Sequence, residues 1–368
     1  MPPMVDNLTV RLASPPVSWV VRPRLLAVCL VLAAATFLVL CLGIGVGDFP
    51  LTVTEVVGAL WGSADQGTLF VVRELRLPRA LAGLLVGAAF GLSGALFQTM
   101  TRNPLASPDM IGITEGAGTA VVAGIVLGLG GLGSQFLGFT GAVLTALLVY
   151  LLSWRGGITG YRIVLVGIGV SWMCTSATDY LIVTSELFQA HAALGWLVGN
   201  LNGQSWDRVV PLALALAVLA PAALLLGRWT RALQLGDDVA LGLGTPVRRA
   251  RPLMLLVGVG LVAFGTAAAG PIAFVALAAP QIAQRLARTA GPTPVASAFA
   301  GALVVLGADL VARRLVPGTE LPVGVVTGAL GAPFLLWLLA RGGRRGGARP
   351  RPAWIGALRS LARGRGSA

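Results

Sequence analysis

The stretch Leu81-Ala82-Gly83-Leu84-Leu85-Val86-Gly87-Ala88-Ala89-Phe90-Gly91-Leu92-Ser93-Gly94-Ala95-Leu96-Phe97-Gln98-Thr99-Met100 contains no charged residue. Its length is that at which an α-helix crosses the roughly 30 Å hydrocarbon layer of a bilayer. Gly83, Gly87 and Gly91 recur four residues apart and Gly94-Ala95 follow. One face of the predicted helix is therefore bare of bulk, so a second helix can approach it closely. Such a helix belongs at the centre of a bundle.

The rest of the chain has the same character. Of 368 residues, 56% are hydrophobic and 11% charged, and the mean hydropathy is +0.85, far from the balance of a water-soluble domain. Apolar runs predict about ten transmembrane helices, an all-α polytopic membrane protein. The spans lie near Leu25–Val46, Leu81–Met100, Gly116–Gly131, Phe136–Leu152, Val164–Val183, Val209–Leu226, Leu253–Ala269, Ile272–Leu286, Val295–Ala312 and Val323–Leu339. Gly270-Pro271 separates the seventh from the eighth. The membrane domain thus occupies 25–340, between an N-terminal segment 1–24 and a basic tail 341–368 expected to be disordered and cytoplasmic.

With ten spans both termini share a side. All 27 basic residues are arginine, and alternate loops place 21 of them with the termini, so the termini are cytoplasmic by the positive-inside rule. The six on the outer side are Arg73, Arg76, Arg79, Arg208, Arg313 and Arg314. They run against the bias and need a reason.

Catalysis finds little support. The only histidine is His191, the three cysteines Cys29, Cys41 and Cys174 sit unpaired in apolar runs, and no lysine exists to complete a Gly-Lys-Ser/Thr phosphate loop. Neither a catalytic set, a metal site, a cofactor motif nor a nucleic-acid partner is expected. The arginines in short loops instead read as topology and lipid contact.

Three acids require an account, because a charge within the bilayer is costly. Asp309 precedes Arg313 by four residues, the spacing of a helical ion pair near the outer interface. Glu115 follows Thr114 at a helix start, where the helix dipole favours a carboxylate. Asp179 lies among Thr175, Ser176 and Thr178, a candidate pathway lining. The longest cytoplasmic loop, 227–251, contains Gly236-Asp237-Asp238-Val239-Ala240-Leu241-Gly242-Leu243-Gly244, a short helix with an acidic first turn and a glycine stop. It is too short to span and suits a surface docking element.

Six motifs, in order, resemble the permease subunits of binding-protein-dependent ABC importers for iron siderophores, haem and vitamin B12. They are Arg76-Leu77-Pro78-Arg79, Gly94-Ala95-Leu96-Phe97-Gln98, Arg102-Asn103-Pro104-Leu105-Ala106-Ser107-Pro108, Gly270-Pro271-Ile272-Ala273-Phe274-Val275, Ala308-Asp309 with Arg313, and Glu320-Leu321-Pro322-Val323-Gly324. The resemblance implies a type II importer fold in a bacterial cytoplasmic membrane, working with separate ATPase subunits, an extracytoplasmic substrate-binding protein and a second permease copy, identical or related. It further implies that Gly236, Asp237, Asp238, Ala240, Leu241, Gly242 and Gly244 form the ATPase-coupling loop, and that Arg76, Arg79 and Arg313 receive carboxylates of the binding protein. Gln281 stands where many relatives have histidine, and Glu115 where a small polar residue is usual. The rival reading is a proton-coupled secondary transporter carrying its proton on Asp179.

Overall fold

The computed structural model describes residues 8–12, 17–47, 51–129, 133–154, 160–316 and 319–345. Fifteen helices follow one another: α1 Pro23–Gly45, α2 Val53–Trp61, α3 Gln66–Phe70, α4 Leu77–Thr101, α5 Ile113–Val126, α6 Ser134–Ser153, α7 Gly160–Thr184, α8 Leu187–Leu197, α9 Trp206–Leu225, α10 Gly227–Gln234, α11 Asp237–Gly242, α12 Val247–Ala269, α13 Val275–Ala287, α14 Pro294–Ala312 and α15 Val323–Arg345. A π-helical turn, Val71–Arg76, leads into α4, and a 3-10 turn, Pro108–Ile111, leads into α5. Eight of the described helices are long and apolar enough to cross a membrane. With the shorter α5 and α13, they coincide with the ten predicted spans.

Four features were not expected. The N-terminal segment carries a two-stranded antiparallel ladder, β1 Leu8–Leu12 with β2 Val17–Val21, Leu8 opposite Val21. The loop 227–251 holds two helices, α10 and α11, where the residues suggested one. After the Gly270-Pro271 break α13 begins only at Val275, with Phe274 in the left-handed region at φ 66°. Finally, α15 continues to Arg345, past the predicted end of the membrane domain; tail residues 346–368 lie outside the described residues.

The described residues up to Gly331 form one compact unit and those from Ala332 to Arg345 a second. At the centre of the first stands α4, buried along nearly its whole length from Ala80 to Met100. Its glycine face explains how. A β-carbon on Gly87 would lie 2.6 Å from the Cα of Ala302, one on Gly91 would strike the carbonyl of Ser297, and one on Gly94 the carbonyl of Ala276. The backbones of α14 and α13 occupy the space that side chains would need. Across the same helix, Ser93 donates to the Gly258 carbonyl on α12 (2.8 Å) and Gln98 to the Leu277 carbonyl on α13 (3.0 Å). Buried polar groups in α4 are thus paid in hydrogen bonds to neighbouring backbones.

The helix ends sort by side. Gly199 and Gly270, both at positive φ, bring the end of α8 against the end of α12: Asn200 N–H donates to the Ala269 carbonyl at 2.7 Å, and Gly324 N–H to the Gly199 carbonyl at 3.1 Å. These ends all belong to the side that the arginine count makes outer.

Candidate functional site

At the outer ends of α1, α4 and α14, Asp309 is the hub of an ion network. Arg79 Nε and Nη2 both donate to Asp309 Oδ1, at 3.2 and 2.9 Å, and Arg79 Nη1 reaches Glu320 Oε2 at 2.8 Å. From the other side Arg313 Nε donates to Asp309 Oδ2 at 2.9 Å, its Nη2 is in contact with the same oxygen, and its Nη1 donates to the Gly43 carbonyl at 3.1 Å. A carboxylate only 3% exposed is bearable because two guanidiniums bracket it.

Two of the remaining outer arginines show why they tolerate the unfavourable side. Arg76 is buried and donates from Nη1 to the carbonyls of Ile44 (2.9 Å) and Gly45 (3.1 Å), the last turn of α1. Arg73 does the same for α2, through Ala59 and Leu60 at 2.9 Å each. Helix C-termini leave carbonyls unsatisfied and carry partial negative charge, so cations settle there. Arg76, Arg79 and Arg313 therefore all have intramolecular partners. The side chains of Arg79 and Arg313 are 12% exposed and that of Glu320 is 46%.

At the cytoplasmic ends, Gly236 at φ 107° lets the chain turn from α10 into α11. Asp237 then accepts from Arg251 Nη2 of α12 at 2.8 Å, and Arg102, at the end of α4, comes within 4.0 Å of the same oxygen. The Asn103-Pro104 turn and the α10–α11 loop are thereby tied through one carboxylate. Ala240 is fully buried against the bundle, whereas Leu235, Val239, Leu241 and Leu243 are 49–64% exposed. Asp238, Gly242 and Gly244 are exposed too, so the free face of this loop consists of leucines and a valine rather than of Ala240.

Between these ends lies a polar seam on α5 and α7. Thr119 bonds with Thr178 at 2.9 Å and donates to the Cys174 carbonyl at 3.0 Å. The N-cap of α5 is Gly112, not Thr114; Thr114 instead donates to Glu115 Oε2 at 2.9 Å. Asp109, in the turn before α5, is pushed up to about 7 by burial and by the charge of Glu115, with Ser107 and Thr114 opposing less strongly. Thr175 lines a small cavity of about 270 Å³ with Met110, Ile168, Ser171 and Trp172. Ser176 and Asp179 are exposed on α7.

The residues alone did not reveal the buried pairing of Gln281 Nε2 with Gln98 Oε1 at 2.7 Å, that of Arg79 with Asp309 and Glu320, or that of Asp237 with Arg102 and Arg251. Apart from Asp237 with Arg251, 14 residues apart, they join segments far apart in sequence. Arg79, Gln98, Arg102 and Glu320 sit inside the quoted motifs, whereas Gln281, Asp237 and Arg251 lie outside them.

A bundle with a glycine-faced central helix, an ionic clasp outside and a short amphipathic helix pair inside defines a polytopic membrane permease. Residues 35–341 match the FecCD transport family, and the chain belongs to it. It is 43% identical to the ferric enterobactin transport system permease protein FepG of Escherichia coli K12, over 88% of this chain and 99% of that one. It is 42% identical to the achromobactin transport system permease protein CbrC of Dickeya dadantii, covering 86% and 90%. A solved structure described as a metal-chelate type ABC transporter in an inward-facing conformation superposes with a TM-score of 0.73 at 25% identity, covering 86% of this chain and 99% of that one.

Proposed function

We propose that this protein is the membrane-spanning subunit of an ATP-driven importer that carries a ferric siderophore or a closely related metal chelate across the cytoplasmic membrane of a bacterium. The observation that carries the reading is the end-to-end likeness to FepG, 43% over 99% of its length. Two permease copies enclose the path, a binding protein delivers cargo outside, and hydrolysis in separate ATPase subunits alternates access. The α10–α11 loop receives the ATPase through exposed Leu235, Val239, Leu241 and Leu243, while Gly236, Asp237 and Ala240 fix its shape.

Arg79 and Arg313 serve the binding protein by exchange. Glu320, half exposed, is the internal partner that an incoming carboxylate replaces, and Asp309 keeps both guanidiniums aimed. Arg76, buried against the last turn of α1, sets the frame for them. Arginine suits this role because its planar fork holds a carboxylate with two hydrogen bonds.

The test is uptake of an iron-loaded catecholate by proteoliposomes containing the permease with its ATPase and binding protein. Uptake is expected to require ATP and to survive Asp179→Asn. Accumulation driven by a pH gradient without ATP, and abolished by Asp179→Asn in a normally assembled protein, would establish the secondary transporter instead.

A further inference from the structure

On the cytoplasmic side a cavity of about 430 Å³ opens where α1, α9, α10 and the start of α14 meet. Its polar half presents Arg22, Arg231 and Thr293; its apolar half presents Leu25, Cys29 and Leu224, which belong to membrane-spanning helices. Among the described residues no carboxylate pairs with Arg22 or Arg231. The neighbouring Arg24 is already engaged, its Nε donating to the Leu286 carbonyl at 3.0 Å.

Two further features lie at the rim of the same space. Thr293 is the N-cap of α14 yet makes no side-chain cap, and its Oγ1 is buried without a hydrogen-bond partner. Pro294 follows at the first helical position, and the amides of Val295 and Ala296, which line the cavity, have no acceptor within a helix that starts here. A buried hydroxyl without a partner is uncommon and calls for a ligand or water. Here it lies beside two unpaired guanidiniums and the positive end of a helix, a combination that attracts an anion.

We propose that this cavity binds the phosphate headgroup of an anionic phospholipid, with an acyl chain descending past Leu25, Cys29 and Leu224. A free phosphate or nucleotide would leave the apolar half of the cavity wet, whereas a lipid fills both halves. The position fits as well: Leu26 and Leu30, one and two turns into α1, are 54% and 63% exposed, so the apolar half continues into the lipid-facing wall. Basic pockets between transmembrane helices at the cytoplasmic face suit anionic headgroups.

The test uses the full-length permease in detergent, titrated with phosphatidylglycerol and followed by native mass spectrometry and thermal unfolding. One phosphatidylglycerol per chain is expected to remain bound, and Arg22→Gln with Arg231→Gln should weaken its retention about tenfold or more, while Arg314→Gln, on the outer side, leaves it unchanged. Thr293→Val should keep the unfolding temperature in lipid-free detergent and lose most of the rise that phosphatidylglycerol produces; it decides alone if the double variant does not fold. Undiminished retention in these variants would overturn the proposal. So would inorganic phosphate that raises the unfolding temperature as much as the lipid, or phosphatidylcholine that binds equally.

Discussion

Asp309 shows what one residue can hold together. It is the only carboxylate contact of Arg313 among the described residues and shares Arg79 with Glu320. Removing one partner of a buried pair strands the other charge at about 3–5 kcal/mol, more than the intact pair contributes. Asp309→Ala should accordingly lower the unfolding temperature in detergent far more than Glu320→Ala, whose carboxylate is half exposed; equal effects would show that burial does not govern the network. Asp109 permits a test of sign. Its carboxyl is raised from 3.8 to about 7, so the folded state binds the proton more tightly than the unfolded one. Stability from this group is complete below pH 3.8 and falls as pH rises through 7. Asp109→Asn should flatten that dependence and be more stable than the parent at pH 8, by on the order of a few kcal/mol at most, read as a higher unfolding temperature. A parent protein equally stable at pH 6 and pH 8 would contradict it.

Among the elements, α4 and its partner α14 were the most legible and the cytoplasmic loop the least. The four-residue glycine spacing predicts close approach, because in lipid only small residues let backbones touch, and the approach is found at Gly87, Gly91 and Gly94. Gly91→Ala would gain up to about 1 kcal/mol of helix propensity. Its β-carbon meets the Ser297 carbonyl, which cannot move unless α14 moves, and overpacking typically costs about 1–3 kcal/mol. The clash should win, so Gly91→Ala should destabilise and Gly91→Leu should prevent assembly, measured as the monodisperse fraction after detergent extraction. The acid-rich turn at Asp237 was also visible in the residues. What they hid was orientation: in so short a helix, which side packs depends on Arg251, 14 residues on, and on Arg102, distant in sequence. Ala240 consequently proves to be buried, and the free face is Val239, Leu241 and Leu243. Leu241→Arg should therefore leave the permease folded but reduce its complex with the ATPase, whereas Ala240→Trp should damage the fold itself. Normal complex formation by Leu241→Arg would mean that the ATPase docks elsewhere.

At the scale of the molecule, motion reaching the loop must pass to the spanning helices through contacts that can carry it, and Asp237 supplies one. It binds Arg251 of α12 at 2.8 Å and lies 4.0 Å from Arg102 at the end of α4, whose other end bears Arg79 and the outer network. A rigid helix linking the two faces is the kind of element through which sites couple. In the assembled importer, Asp237→Asn should weaken this link without removing the apolar docking face. ATP hydrolysis by the assembled complex should then continue while chelate taken up per ATP falls, by about fivefold or more if the contact contributes a coupling of about 1 kcal/mol or above. Arg251→Gln should reproduce the loss, and combining it with Asp237→Asn should add little, because both remove the same contact. Additive losses would place the two residues on separate routes, and unchanged uptake per ATP in Asp237→Asn would exclude this contact as the path of coupling.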